Sequence, residues 1–211
     1  MTELPLSPTR LESALDDLRK DLLSDDGPRI STMRNYRFAI VPYRPEDELH
    51  VQQHARRLAD DMKTGGWHVL SIDLARLLAA RVRAEGGDWL ERIIAREKRL
   101  SARNPERGLN VAKDALAELV AGAGGIADDI AGIISGHVES DRDGGHRTVA
   151  LIGRAGAMYP FGRMSALLKH LDGRTCGIPV VLLYPGTHSQ LGLSFMGLMP
   201  PDPDYRPRIY K

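Results

Sequence analysis

The chain has 211 residues, 42% of them apolar and 27% charged, ordinary globular values that exclude wholesale disorder. Its formal net charge of +1 offers no global field for gripping nucleic acid. The length fits one domain, residues 1–211, with a full core. Arg greatly outnumbers Lys, a bias that fits phosphate or carboxylate recognition and genomic base composition alike. The single cysteine, Cys176, has no intramolecular disulfide partner and no neighbour that would activate it as a nucleophile. The first ten residues lack a basic start followed by an apolar core, and no apolar run approaches a membrane span, so a soluble, cytoplasmic protein is expected.

Residues 1–30 form an N-terminal helical segment. Leu11, Leu15, Leu18 and Leu22 recur at helical spacing, with Thr9 as N-cap and Asp25-Asp26-Gly27-Pro28 as the stop. Residues 37–43 read as a first strand. Pro45 opens a helix whose first turn carries Glu46, Asp47 and Glu48, at the positive end of its dipole. Its buried stripe is Val51, Ala55, Leu58, Ala59 and Met62, and Gly65-Gly66 closes it before a strand at residues 67–72. Strand, helix, strand is a parallel crossover.

From 73 to 135 the pattern is almost entirely helical, in four apolar stripes that read as a helical insertion packed beside the sheet. Residues 135–147, polar and glycine-rich, read as a mobile loop. Residues 148–153 then give a buried strand, 162–171 a helix and 180–184 another strand. The first of these strands is followed by a loop with Arg154, Tyr159 and Arg163, the second by a loop opening at Tyr184-Pro185-Gly186-Thr187. Residues 205–210 fit an edge strand, where Pro207 is tolerated. The expected fold is therefore α/β: a Rossmann-like, mostly parallel sheet flanked by helices, with a helical insertion. Such sheets place their sites at the carboxyl ends of the strands.

Gly122-Ala123-Gly124-Gly125 follows a helix, whereas a phosphate loop must follow a strand, so a helix break is the better reading. His137, Asp141, Asp143 and His146 have metal-ligand chemistry but sit on one unsupported loop, and no metal is expected there. Arg92, Arg96, Arg99 and Arg103 step by four, three and four, a basic stripe suited to solvent, an acidic protein partner or a nucleic-acid backbone. The lack of interleaved aromatics favours protein over single-stranded nucleic acid. Glu97 falls in the apolar sector of the same helix and is expected to be buried and paired. Tyr159, Arg163, Tyr184 and His188 converge if their strands are neighbours, as an interface hot spot or a small-ligand pocket, with Arg154 alongside. No nucleophile, metal set or cofactor motif appears, so a non-enzymatic protein without cofactor is expected. The alternative is a small-molecule or nucleotide-binding enzyme using the crevice near Arg154, Arg163 and Tyr184.

The phrase Leu151-Ile152-Gly153-Arg154-Ala155-Gly156-Ala157-Met158-Tyr159-Pro160-Phe161-Gly162-Arg163 resembles the strand-turn-helix signature of BrxB, a component of bacterial BREX phage-defence systems. The resemblance continues through residues 167–171, 178–187 and 193–198, ends at Asp204-Tyr205-Arg206, and covers roughly residues 36–211. It implies a non-enzymatic assembly role beside a PglZ-like protein, in a system that also holds an ATPase and the PglX methyltransferase. It lends no catalytic residues, and it leaves direct contact with DNA open.

Overall fold

The computed structural model describes residues 8–24, 28–30, 36–121, 124–140 and 147–211. Its elements in chain order are α1 (Pro8–Leu22), β1 (Phe38–Tyr43), a 3-10 turn at Pro45–Asp47, α2 (Glu48–Thr64), β2 (His68–Asp73), α3 (Leu74–Ala84), α4 (Gly87–Ser101), α5 (Pro105–Ala121), α6 (Ile126–Ser140), β3 (Thr148–Gly153), a 3-10 turn at Ala155–Met158, α7 (Met164–Leu171), β4 (Val180–Ser189), β5 (Gly192–Phe195) and β6 (Arg208–Ile209).

Five strands run parallel in the order β2-β3-β4-β1-β6, and β5 pairs antiparallel with the far end of β4. The α/β class and the mostly parallel sheet agree with the sequence. The strand order differs from the 3-2-1-4-5-6 of a dinucleotide-binding sheet. Alternation along the strands divides the core in two. Phe38, Ile40, Ile152 and Leu182 face α6, α7 and the start of α3, whereas Ala39, Val41, Leu151 and Leu183 face α1 and α2. Direction explains the division. The chain steps one way from β2 to β3 to β4 and the other way from β1 to β2, so crossovers of the usual hand fall on opposite faces.

The α1–α2 face is thinly covered. The α1 helix is tied to the β6 end: the Tyr210 hydroxyl donates to Asp21 at 2.8 Å, and Arg208 pairs with the same carboxylate at 2.7 Å. The single crossover helix α2 has to span three strands. It covers β2 only in part: Val69 packs against the α1–α2 core but stays half-buried, as does Asp73, and Ser71 is exposed.

Several sequence expectations are corrected. Within the expected helical insertion α4 buries no residue and α5 adds Val120 to the core, whereas α6 is a core helix through Ile126, Ile130 and Ile134. The α6 helix continues to Ser140, so residues 135–140 are helix and not the mobile loop expected; residues 141–146 lie outside the described residues. The stretch Pro105–Ser140, which spans α5 and α6, has an 18-residue window of mean hydropathy 1.3 and is apolar enough to resemble a membrane span. Three of its four isoleucines, Ile126, Ile130 and Ile134, are buried in the core beneath the sheet, so the apolar character belongs in part to a core helix. Tyr184 to Thr187 is strand and not loop, because β4 runs on to pair with β5. The edge strand near the C-terminus is confined to Arg208–Ile209, directly after Pro207.

Helices α4 and α5 form an antiparallel hairpin that closes tightest at Gly108, where a Cβ would lie 1.8 Å from Ser101 Oγ. Glu97 faces this seam, half-buried, and accepts a hydrogen bond from Ser101 Oγ at 3.0 Å. It is half-buried where deep burial is expected, and its partner is a hydroxyl in place of the basic side chain or backbone donors expected.

Candidate functional site

The uncovered corner of the α1–α2 face forms a groove of about 410 Å³ at the carboxyl ends of β2 and β3. Its floor is Ser71, Leu151, Gly153 and Leu183, and α2 forms one wall. Four cations line it, Arg56, Lys63, Arg76 and Arg154, against two carboxylates, Asp60 and Asp73. Lys63 leans to Asp60 at 3.9 Å and Arg76 to Asp73 at 3.6 Å. Among the described residues, Arg56 and Arg154 make no ion pair. Such exposed pairs are weak, so the groove keeps a positive excess available to an anion. Arg154 follows β3 directly in the left-handed conformation, φ 60° and ψ 31°. A non-glycine residue there costs roughly 1–2 kcal/mol. The strain turns the chain into the Ala155–Met158 turn and leaves the Arg154 side chain exposed at the rim. Beside it, Tyr43 donates to Glu48, and burial followed by that carboxylate pushes its phenol far above the usual range.

A second cleft, about 360 Å³, lies on the opposite face between α5, α6 and α7, with Arg163, His170, Arg174 and Asp128 at its rim. Arg163 pairs at 3.7 Å with Asp202, which also accepts from Ser165 Oγ at 2.5 Å. Arg174 pairs with Asp128 at 2.5 Å, and this hydrogen bond holds the Asp128 carboxyl below the usual range. The folded value is the lower one, so whatever the pair contributes is present above the unfolded carboxylate range and lost as pH falls through the folded value. A carboxyl-detected NMR titration should find Asp128 below the usual carboxylate range, and Arg174→Gln should raise it.

The expected crevice is therefore divided by the sheet. β3 and β4 are adjacent and parallel and are joined through α7, as expected. Arg154, however, borders the groove on the α2 face, while Arg163 lines the cleft on the other. Tyr184 is fully buried, 0% exposed, so it is a core residue and not the binding residue expected, because the strand continues past it. Its ring packs against Phe195 and Tyr205, with centroids 5.5 and 5.7 Å away. Burial, and then the Tyr205 phenol, push its hydroxyl well above the usual phenol range. Tyr159 is half-buried, 6.2 Å edge-on to Phe195, and His188 is half-buried opposite Leu193 in the β4–β5 ladder. Arg92, Arg96 and Arg99 lie exposed on α4, whereas Arg103 lies past the helix end in the turn. Of the loop ligands, His137 ends up on α6, its Nε2 3.4 Å from Thr148 Oγ1, and Asp141, Asp143 and His146 fall outside the described residues, as do Gly122 and Ala123. Sequence reasoning missed Arg56 and Lys63. Their signal was a step of seven along α2, two turns on one face beside the apolar stripe.

Over residues 70–209 the chain matches the family model described as BREX protein BrxB. The chain belongs to the BrxB family. It is thereby a component of a BREX phage-defence system. No curated protein and no solved structure matches it. The family match runs from β2 into β6, and so takes in the α4–α5 hairpin, Arg76, Arg154 and the Asp202 cluster. The α2 wall of the groove, with Arg56 and Lys63, lies before it.

Proposed function

We propose that this BrxB-family chain is a non-catalytic adaptor that docks a PglZ-like protein through the α4–α5 hairpin. One observation carries the reading: α4, fifteen residues long and amphipathic, buries none of them. Ile93 and Leu100 are half-covered against α5, while Leu90 and Ile94 remain 40% and 41% exposed one turn apart. Leu109 of α5 is 58% exposed. Leu90, Ile94 and Leu109 give the hairpin an exposed apolar patch, and Arg92, Arg96 and Arg99 form a basic stripe on the opposite side of α4, so the two faces can meet different parts of a partner. Co-purification of the full chain with a PglZ-like protein, the ATPase and PglX tests this. Capture of the PglZ-like protein supports the adaptor; a folded chain that binds none of the three sinks it.

The strained Arg154 favours a second reading, a small-molecule or nucleotide-binding enzyme working in the cationic groove. A thermal-shift panel of nucleotides, inorganic phosphate and metal ions separates the two, since a specific ligand raises the midpoint by mass action. On the second reading a nucleotide stabilises the chain and Arg154→Gly abolishes the shift. On the adaptor reading no nucleotide does so.

A further inference from the structure

We infer that Glu12, His50 and His54 form a binding site for a divalent transition metal of the Zn²⁺ class at the seam between α1 and α2. His50 and His54 stand one turn apart on α2, and Glu12 faces them from α1. Their Nε2 atoms are 3.1 Å apart, and His54 Nε2 lies 3.4 Å from Glu12 Oε1. All three donor atoms fall within 4.8 Å of one another. An ion held tetrahedrally by bonds of about 2.0–2.1 Å keeps its donors about 3.3 Å apart, so the two distances bracket the edge that such an ion requires.

The ring orientation agrees. The imidazole centroids lie 4.6 Å apart at an interplanar angle of 61°, and the rings converge through their Nε2 atoms. A metal ion would draw on a lone pair from each of the two facing ring nitrogens. The donor set of two imidazoles and one carboxylate suits Zn²⁺, Ni²⁺ or Cu²⁺ and is a poor match for Mg²⁺ or Ca²⁺, which take oxygen donors. The site draws on both helices, so a bound ion clamps α1 onto α2. Glu12 and His50 are exposed, which leaves the fourth position to water or an outside ligand.

The test is titration of the full chain with Zn²⁺ by calorimetry and with Co²⁺ by visible absorption, whose intense ligand-field bands report tetrahedral coordination. One ion per chain is expected, with tetrahedral Co²⁺ bands, a raised thermal midpoint with Zn²⁺ and no response to Mg²⁺. His50→Ala and Glu12→Gln, both at exposed positions, should each weaken Zn²⁺ binding at least tenfold while circular dichroism stays unchanged. No binding by the wild-type chain overturns the inference. So does full affinity in the His50→Ala chain, which would locate the ion elsewhere, for example on His137.

Discussion

Gly192→Ala should lower the thermal midpoint by roughly 5–15 °C. Gly192 opens β5 at φ +119°, and a Cβ there would lie 2.1 Å from the carbonyl oxygen of Asp202 and 2.5 Å from its carbon. Backbone cannot swing aside as a side-chain tip can. The close approach is held by two hydrogen bonds between Leu193 and Asp202, at 3.1 and 3.0 Å. Asp202 in turn receives Ser165 and Arg163. Forced dihedrals cost about 1–3 kcal/mol, and overpacking about 1–3 kcal/mol more. A domain of this size loses about 2–4 °C per kcal/mol. Gly132→Ala is the control. It lies in α6 with open space around its Cα, so alanine should be neutral or stabilising by up to about 1 kcal/mol. A Gly192→Ala midpoint within 1 °C of wild type would show that the 199–205 segment is not pinned as described.

The hairpin variants should show the second large effect. Leu90→Asp with Ile94→Asp should weaken capture of the PglZ-like protein about 30- to 1000-fold, because each apolar residue at the centre of an interface contributes on the order of 1–2 kcal/mol. Arg92→Glu with Arg96→Glu acts on the basic stripe across α4 from the patch and should chiefly slow association and alter its salt dependence. Neither pair should change stability by more than about 0.5 kcal/mol per site, since all four positions are exposed. Binding kinetics across a salt series, with circular dichroism as control, read both. Wild-type affinity in the Leu90→Asp, Ile94→Asp chain would remove α4 from the interface.

The local elements were legible because their signals are local. Val51 through Met62 buries as its spacing requires, and the Phe38–Tyr43 run is a fully buried strand. What escaped depends on contacts distant in sequence. The apolar composition of residues 126–140 hinted at a core helix, but which face of the sheet it covers depends on the strand order. Tyr184 looked like a loop residue because Pro185-Gly186 punctuates the strand, yet Gly186 serves instead to let β5 approach, with Ser194 O where a Cβ would stand at 2.2 Å. Arg154 and Arg163 were joined into one crevice since they share a loop. A 3-10 turn between them sends each to its own side of the sheet.

The strand order also sets a schedule for synthesis. β1 lies inside the sheet, and both of its neighbours are made long after it: Phe38 pairs with Val180, and Ile40 with Ile209. At about 5–20 residues per second the ribosome needs roughly 7–28 s to supply the first of them. Throughout that interval the apolar run Phe38–Tyr43 has no strand partner, whereas α4 and α5 can pair as soon as they emerge. The nascent chain therefore finishes its protruding hairpin before its core, and β1 is the segment for a holding chaperone to cover.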